Sequence, residues 1–302
     1  MSDMFGAVNV PLAVLWTEPG AKRTHNDLIL GPTPNAAAWA DTMDTDMRLA
    51  LVGKVETQVL FGERLLILDH QGDWLKVAAI NQATSLFNQG YPGWIPTVQV
   101  SSNSTYLKEQ LTSPLITVTA PKTLLYQHAA IRANINELSY QTSLPLLAQT
   151  PEYYTVRLPN GDFGQLAVTN ATYQATTVFN PDNIISEAKK FIGLRYIWGG
   201  TSSFGFDCSG FVMRLYGSQG LTIPRDADDQ AHAGTAVEIT ALERGDLLFF
   251  ADNNGQGTIH HVGMYAGEGR MIHAPNSRSA VREEDYTGGN YGPELWGARR
   301  YR

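Results

Sequence analysis

The hydrophobic and polar positions upstream of Thr177 follow a pattern of short strands broken by turns. The strongest run is VETQVLFGERLLILDH, and a Gly-Asp turn signal leads from it into GDWLKVAAI and then into GYPGWIPTVQV. Short strands at this spacing are typical of small barrels and sandwiches. A fainter copy of the pattern is SLPLLAQTPEYYTVRLPNGDFGQLAV, which holds an Asn-Gly hairpin signal at Asn160–Gly161. We therefore predict two small β-barrels of one type, separated by the polar segment SSNSTYLKEQ, with a partly helical insertion at residues 21–50.

Downstream of Thr177 the apolar residues take a helical spacing first and a strand-like spacing afterwards. One helix is predicted in PDNIISEAKKFIGL, on the apolar positions Ile184, Ile185, Ala188, Phe191 and Ile192. A second helix is predicted to begin at Cys208 in CSGFVMRLYGSQG and to end at glycine. Its buried face is expected to hold Phe211, Val212 and Leu215. Strand-like runs follow in GDLLFF, HHVGMYAG, RMIHAP and WGARRYR, and this order predicts an α+β domain.

The bulk properties limit the classes of function. A chain of 302 residues predicts about two domains, with room for three small ones. The net charge of −7 argues against nucleic acid or an anionic membrane as the main partner. The first residues, MSDMFGAVNVPLAVLW, lack the basic start of a signal peptide, and we find no apolar run of the roughly 18 residues that a membrane helix needs. We therefore expect a cytoplasmic protein, although a secreted chain without its leader would carry the same sequence.

Cys208 is the one cysteine of the chain, so an intramolecular disulfide and a cysteine-built zinc site are excluded. A thiol at a helix N-terminus meets unpaired N–H groups and the positive end of the dipole, which lowers a cysteine pKa to the range of about 3.5–7.5. Asp207 is suited to cap this helix, while Gly205 and Gly210 allow close backbone approach. The residue is thus a candidate nucleophile, and a buried inert cysteine is the alternative.

A cysteine nucleophile needs a base, and two adjacent predicted strands, HHVGMYAGEGRMIHAP, hold three of the seven histidines. With a three-residue loop beginning at Ala266, His261 faces His273 across the hairpin, within hydrogen-bonding reach. With a two-residue loop beginning at Ala266, His260 faces His273 instead. A metal site built from the three histidines is the weaker interpretation, because neighbours on a strand point to opposite faces. The other histidines are scattered and are interpreted as surface or structural residues: His25, His70, His128 and His232.

These motifs resemble the NlpC/P60 family of papain-like cysteine peptidases. The resemblance covers about residues 182–302 and rests on GLRYIWGG, FDCSGF, GDLLFF, HHVGMYAG and MIHAPNS, in the family's order and spacing. The two barrels resemble bacterial SH3 domains, so the whole chain is similar to the three-domain γ-D-glutamyl-L-diamino-acid endopeptidases of the dipeptidyl-peptidase VI type. The fold implied is multidomain, with two small SH3-like β-barrels followed by an α+β papain-like domain. The predicted bounds are 1–105 for the first SH3-like domain with its insertion, 106–178 for the second, and 179–302 for the peptidase domain.

The resemblance also implies the catalytic residues. Cys208 is the expected nucleophile, His261 the general base, and His273 the third member that orients His261. The family motif thus favours the register that uses His261. The hydroxyl of Tyr196 is expected to point into the site, and the backbone N–H of Cys208 is an expected donor to the oxyanion.

Substrate recognition is implied in the same way. In the three-domain group the first SH3 domain walls off the cleft, which restricts the enzyme to free peptides. The free N-terminal amine of the substrate is expected to meet Asp207, Glu56 and Tyr91, with Ser209 lining the pocket and Glu63 as a rival to Glu56. Blocking that amine is expected to leave Asp207 and Glu56 buried without a partner.

The function expected is hydrolysis of murein-derived peptides, L-Ala-γ-D-Glu-L-Lys or its diaminopimelate counterpart, with release of L-Ala-D-Glu during peptidoglycan recycling. No cofactor or metal is implied, and a monomer is expected. The chain departs from the family at Ala227, where a serine or threonine near the site is common, so one hydrogen bond to the substrate is in question. Amidase or acyltransferase chemistry on the same residues is one alternative, and a cell-wall-binding protein without catalysis is another.

Overall fold

The computed structural model describes residues 4–20, 24–128, 133–173 and 179–302. These residues separate into two compact units. Unit 1 lies within 1–81, 89–175 and 202–204, and unit 2 lies within 82–88, 176–201 and 205–302. Unit 1 therefore contains the β-rich region that the sequence predicts, and unit 2 contains nearly all of the predicted α+β domain. The domain bounds drawn from the sequence stay predictions.

The first half of unit 1 is an antiparallel sheet with a helical insertion. Its strands are β1 Met4–Val8, β2 Leu12–Trp16, β3 Val55–Leu60, β4 Arg64–Gln71, β5 Trp74–Ala79, β6 Tyr91–Pro96 and β7 Val100–Ser101. They lie in the order β3-β2-β6-β5-β4-β1-β7. Their inward side chains form a core that includes Leu15, Leu65 and Val77. The predicted insertion holds the short helices α1 Asp27–Leu30, α2 Ala36–Thr42 and α3 Thr45–Leu49.

The second half of unit 1 repeats this architecture. Its strands are β8 Leu115–Val118, β9 Lys122–His128, β10 Ala133–Ser139, β11 Ser143–Gln149, β12 Tyr153–Arg157, β13 Phe163–Ala167 and β14 Ala171–Tyr173. They lie in the order β10-β9-β13-β12-β11-β8-β14. The predicted hairpin at Asn160–Gly161 joins β12 to β13, and Gly161 has the positive φ of 96° that a turn residue of this kind needs.

The polar segment between the two sheets forms a helix, α4 Ser104–Thr112. Asn103 caps it by accepting a hydrogen bond of 2.9 Å from the N–H of Tyr106. The Tyr106 ring is fully buried, and its hydroxyl donates to the carbonyl of Gly62 at 3.0 Å. This helix is part of the packed interior of unit 1, and the predicted boundary between residues 105 and 106 falls inside it.

Unit 2 has the predicted order of helices first and an antiparallel sheet afterwards. Its helices are α5 Pro181–Lys189, α6 Cys208–Ser218, α7 Ala227–His232, α8 Asp252–Gly255 and α9 Tyr291–Glu294. The short strand β15 Thr201–Ser202 begins in unit 2, and its second residue belongs to unit 1. The later strands of unit 2 are β16 Gly205–Phe206, β17 Thr235–Val237, β18 Leu247–Ala251, β19 Ile259–Gly267, β20 Arg270–His273, β21 Arg282–Asp285 and β22 Leu295–Arg300. The main sheet has the order β17-β22-β18-β19-β20-β21, and α6 packs on β19 and β20.

The two predicted helices of unit 2 begin where the sequence places them. All but one of the apolar residues expected to be buried are buried. At most 3 % of the surface is exposed in Ile184, Ile185, Ala188, Phe191, Phe211, Val212 and Leu215. The exception is Ile192, which is 51 % exposed. The prediction for Ile192 was wrong because α5 ends at Lys189, so the helical spacing no longer applies in the turn that follows.

Candidate active site

Helix α6 presents Cys208 as its first residue. Asp207 is the N-cap, and its carboxylate accepts a hydrogen bond of 2.7 Å from the N–H of Gly210, as the sequence predicts. A side chain at Gly210 would overlap the carbonyl oxygen of Gly200, so glycine is needed there for close backbone approach. The cap and the tight packing hold the thiol at a fixed place above the sheet.

The surroundings of Cys208 keep its sulfur protonated. Burial raises the pKa of the thiol to about 12, and the nearby Asp207 carboxylate adds to this effect. The backbone N–H groups of Val262 and Ser209 and the guanidinium of Arg225 act in the opposite direction. The prediction of a lowered cysteine pKa was wrong, because it counted the helix N-terminus and left out the desolvation of the sulfur. A neutral thiol needs a base that takes its proton as the sulfur reacts.

The hairpin that carries the histidines has a register that the sequence did not predict. Strands β19 and β20 are joined by the two-residue turn Glu268–Gly269, in which φ is 54° and 72°. Tyr265 pairs with Met271, and the ladder shifts by one residue before Gly267. Both predicted loops, each beginning at Ala266, were therefore wrong. Two successive residues with positive φ are typical of the two-residue hairpin turn whose twist matches the twist of the strands. A bulge between Tyr265 and Gly267 accommodates the one extra residue of β19.

His261 and His273 nevertheless contact each other. The observed register, continued by one pair, places Gly263 opposite His273, so His261 is a diagonal neighbour on the same face. A Cβ at Gly263 would lie 3.3 Å from the Cβ of His273, so the small residue leaves room for the two rings. The Nε2 of His261 lies 2.7 Å from the Nδ1 of His273. The structure therefore joins these two candidate residues by a hydrogen bond.

Both imidazoles are neutral at pH 7. Burial lowers the pKa of His261 well below its ordinary value, and the neighbouring His273, His260 and Arg282 side chains add smaller electrostatic effects in the same direction. Burial and then Arg282 lower the pKa of His273 to about 3. A neutral His261 has a free lone pair, which is what a general base requires.

A carboxylate and a phenol complete the surroundings of the histidine pair, and the sequence analysis found neither. The Nε2 of His273 lies 2.6 Å from the Oε1 of Glu284. The ring of Tyr291 packs against both imidazoles, with ring centroids 5.5 Å from His261 and 5.2 Å from His273. The available signal was the alternation in REED, which places Arg282 and Glu284 on one face of a strand.

Asp207 already has a cationic partner within the protein. The guanidinium of Arg225 is 1 % exposed and binds both carboxylate oxygens, at 2.6 Å and 3.2 Å. Its Nη1 also donates to the hydroxyl of Ser209 at 2.8 Å. The expectation that a blocked substrate would leave Asp207 without a partner was wrong, because Arg225 neutralises it. Arg225 was missed because it is 18 residues from Asp207 in the chain.

Tyr196 lies beside the thiol. Its hydroxyl makes a hydrogen bond with Cys208, and burial raises the pKa of the phenol well above its ordinary value. The backbone holds it there, because Tyr196 bridges to Phe206 and donates its N–H to the carbonyl of Ser279 at 3.0 Å. The phenol is thus a proton donor next to the candidate nucleophile.

Comparison with known proteins gives the family of the chain. The profile of the NlpC/P60 family matches residues 193–300, and the profile described as the YKFC SH3b2 domain matches residues 118–173. A Bacillus cereus protein named gamma-D-glutamyl-L-lysine dipeptidyl-peptidase is 39 % identical over 99 % of this chain and 91 % of its own length. A Bacillus subtilis protein of the same name is 36 % identical over 98 % of this chain and 99 % of its own length.

The chain belongs to the NlpC/P60 family of cysteine peptidases. A crystal structure of an NlpC/P60 family protein from Bacillus cereus superposes with a TM-score of 0.95 at 38 % identity, and it covers 98 % of this chain and 99 % of the other. The predicted fold class of SH3-like β-rich regions followed by an α+β peptidase domain is therefore confirmed. The enzyme class predicted from the motifs is confirmed as well.

The remaining substrate-binding candidates of this NlpC/P60 peptidase lie in unit 1. Glu56 is half-buried on β3, and Tyr91 is buried at the start of β6. The rival, Glu63, lies between β3 and β4, where its Oε2 accepts a hydrogen bond of 3.1 Å from the N–H of Leu60. The roles of Glu56 and Tyr91 in binding the substrate amine stay predictions.

The other histidines of the peptidase have ordinary surroundings. His260 points away from the site, and its Nε2 lies 3.4 Å from the carboxylate of Glu294. His25 contacts the carbonyl of Trp39, and both His70 and His232 are exposed; the side chain of His128 lies outside the described residues.

Among the residues that the structure describes, no three His, Cys, Asp or Glu side chains are grouped so that they could hold a metal ion. Within the same residues no helix is long and apolar enough to cross a membrane.

Proposed function

We propose that this peptidase hydrolyses the bond between γ-D-glutamate and the diamino acid in murein peptides that carry a free N-terminal L-Ala, and that it releases L-Ala-D-Glu. The observation that carries the proposal is the arrangement of a buried thiol and a pair of imidazoles. Cys208 begins helix α6, and this helix packs on strands β19 and β20. Those strands hold His261 and His273, two neutral imidazoles that are joined by a hydrogen bond. The names of two relatives that match nearly the whole chain support the substrate class.

Attack on the substrate uses the neutral thiol. The sulfur of Cys208 forms a bond to the γ-carbonyl carbon, the carbonyl π electrons move onto oxygen, and the thiol proton passes to His261. The Nε2 of His261 is engaged by His273, so Nδ1 is the nitrogen that accepts this proton. The backbone N–H of Cys208 and the hydroxyl of Tyr196 are the proposed donors to the developing oxyanion.

Collapse of the tetrahedral intermediate breaks the carbon–nitrogen bond. Protonated His261 gives its proton to the departing amine of the diamino acid, and a thioester on Cys208 is left. Water then attacks the thioester with His261 as its base, the carbon–sulfur bond breaks, and the sulfur recovers its proton. The second product is L-Ala-D-Glu. The original thiol proton leaves with the amine, and a proton of the attacking water passes through His261 and restores the thiol.

Recognition of the free amine is proposed to depend more on Glu56 than on Asp207. Asp207 is neutralised by Arg225, so its carboxylate has less charge to offer an ammonium group. Glu56 is the candidate that the family resemblance implies, and Glu63, which accepts a hydrogen bond from the N–H of Leu60 within its own turn, stays its rival. A charge-assisted hydrogen bond between a carboxylate and a substrate ammonium contributes about 1.5–3 kcal/mol.

The test is a mass-spectrometric digest of four synthetic substrates by the full chain. They are L-Ala-γ-D-Glu-L-Lys, its meso-diaminopimelate counterpart, its N-acetylated form, and the same peptide attached to muramic acid. The proposal predicts L-Ala-D-Glu from the first or second peptide and little cleavage of the two blocked ones. Release of the intact peptide from muramic acid would indicate an amidase, transfer to an added amine would indicate an acyltransferase, and four intact substrates would contradict the proposal.

A further inference from the structure

Glu284 lies directly behind the histidine pair and has no role in the three-residue catalytic set. Its Oε1 accepts hydrogen bonds from two side chains, 2.6 Å from the Nε2 of His273 and 2.8 Å from the Nε of Arg282. The carboxylate is 30 % exposed, whereas the side chain of His273 is fully buried. A hydrogen-bonded chain therefore runs from the edge strand β21 through His273 to His261.

The direction of every proton in this chain follows from the carboxylate. An ionised carboxylate only accepts, so the Nε2 of His273 must carry the hydrogen that it donates to Glu284. A neutral imidazole has one N–H, so the Nδ1 of His273 is then an acceptor. The nitrogen 2.7 Å from it, the Nε2 of His261, must in turn be the donor. The Nδ1 of His261 is left with a free lone pair.

We propose that Glu284 is a positioning residue that sets the tautomers of His273 and His261, so that the Nδ1 of His261 is the base that deprotonates Cys208. This inference rests on the proposed cysteine-peptidase chemistry and adds a fourth member to it. Without an acceptor at position 284, His273 is free to carry its hydrogen on Nδ1. His261 would then donate from Nδ1 and present no lone pair to the thiol.

The charged and titratable groups around the histidine pair come from several elements. Glu284 and Arg282 of β21 and Tyr291 of α9 contact the pair or act on its charge, and His260 of β19, whose side chain points away from the site, adds an electrostatic effect on His261. Cys208 of α6 and Tyr196 beside it lie on the side of the nucleophile. Glu284 is the acceptor that binds the outer nitrogen of His273. Arg282 opposes protonation of both imidazoles, so loss of Glu284 alone would also leave this cation without its partner.

Three variants separate positioning from structural support. Glu284→Ala removes the acceptor, and Glu284→Gln keeps a carbonyl oxygen for His273 and Arg282 while removing the charge. Glu283→Ala is the matched control, because Glu283 is the preceding residue of the same strand and also forms ion pairs, with Arg270 at 3.0 Å and Lys189 at 3.4 Å. Its side chain is on the opposite face of β21.

The expected kinetic result is a loss of kcat with little change in KM. Glu284→Ala is expected to lower kcat by about 10- to 100-fold, the range seen for outer partners that orient metal-bound histidines. Glu284→Gln should recover most of this loss, and Glu283→Ala should stay close to the original enzyme. Equal losses in Glu284→Ala and Glu283→Ala, or kcat unchanged in Glu284→Ala, would overturn the proposal.

The deciding readout is the protonation pattern of the rings. In protein labelled with ¹⁵N-histidine, long-range proton–nitrogen spectra at pH 7.5 should show His261 and His273 protonated on Nε2, and Glu284→Gln should keep this pattern. Glu284→Ala should change the pattern at His273 and should slow alkylation of Cys208 by iodoacetamide. An unchanged pattern in Glu284→Ala would refute the inference. If the original enzyme leaves all murein peptides intact, the proposed substrate fails, but the spectra and the alkylation rates still decide the role of Glu284.

Discussion

Removal of the Arg225 side chain is expected to destabilise unit 2 strongly. Arg225 is 1 % exposed, and it donates hydrogen bonds to both carboxylate oxygens of Asp207 and to the hydroxyl of Ser209. Arg225→Met fills a similar volume but leaves the Asp207 carboxylate buried without its cation at the start of α6. The remaining donors to that carboxylate are the N–H of Gly210 and the hydroxyl of Ser209.

The magnitude follows from the burial of the pair. Breaking a buried ion pair by removing one partner costs about 3–5 kcal/mol, because an uncompensated charge stays in the interior. Such a loss raises the population of locally opened molecules by about 100-fold to several thousand-fold. The same change raises the pKa of Cys208 further, since Arg225 is one of the groups that lower it.

The assay is hydrogen exchange of the α6 amides followed by mass spectrometry as a function of urea, which reports opening of unit 2 without interference from unit 1. Arg244→Met is the matched control, since the Arg244–Asp182 pair is 45 % and 75 % exposed. An exposed pair contributes about 0–1 kcal/mol. The double variant Asp207→Asn/Arg225→Met removes both charges and keeps an oxygen for the cap, so it should recover much of the loss. Equal effects of Arg225→Met and Arg244→Met, or no recovery in the double variant, would refute this reasoning.

Three further results are expected. Arg282→Ala should move the acidic limb of the pH profile of kcat/KM to higher pH. Arg282 lowers the pKa of His261, so without Arg282 the imidazole becomes protonated, and stops acting as a base, at a higher pH. An acidic limb that does not move would contradict this electrostatic role of Arg282. N-acetylation of the substrate should lower kcat/KM by about 100-fold, and equal rates on both forms would disprove amine recognition. Glu56→Gln should reduce this discrimination while Glu63→Gln leaves it; the reverse would reassign the amine ligand.

The local features of the site could be predicted from the sequence. The start of α6 at Cys208, the cap by Asp207 and the need for glycine at 210 depend on neighbouring residues, and the structure contains all three. The change from a β-rich region to an α+β domain could also be predicted, because the spacing of apolar residues along the chain distinguishes half-buried strands from half-buried helices.

The long-range features could not be predicted. The hairpin register depends on a turn in which Glu268 takes a positive φ, a conformation that glutamate rarely adopts. Arg225 and Glu284 lie 18 and 11 residues away from their partners in the chain, and the alternation in REED predicts the face of Glu284 but not its contact with His273. The pKa of Cys208 was predicted in the wrong direction because burial of the sulfur is a property of the folded chain.

Release of lysine from L-Ala-γ-D-Glu-L-Lys by Cys208→Ala tests the central claim most directly. Cys208 is the one thiol in the chain, so the variant removes every sulfur nucleophile while it keeps the start of α6. Hydrogen exchange of α6 in the same sample shows that unit 2 is folded. The expected result is a fall in kcat/KM of at least about 10⁴-fold, as for the loss of other catalytic nucleophiles. Turnover by a folded Cys208→Ala variant within about tenfold of the original enzyme would contradict the assignment of Cys208 as the nucleophile.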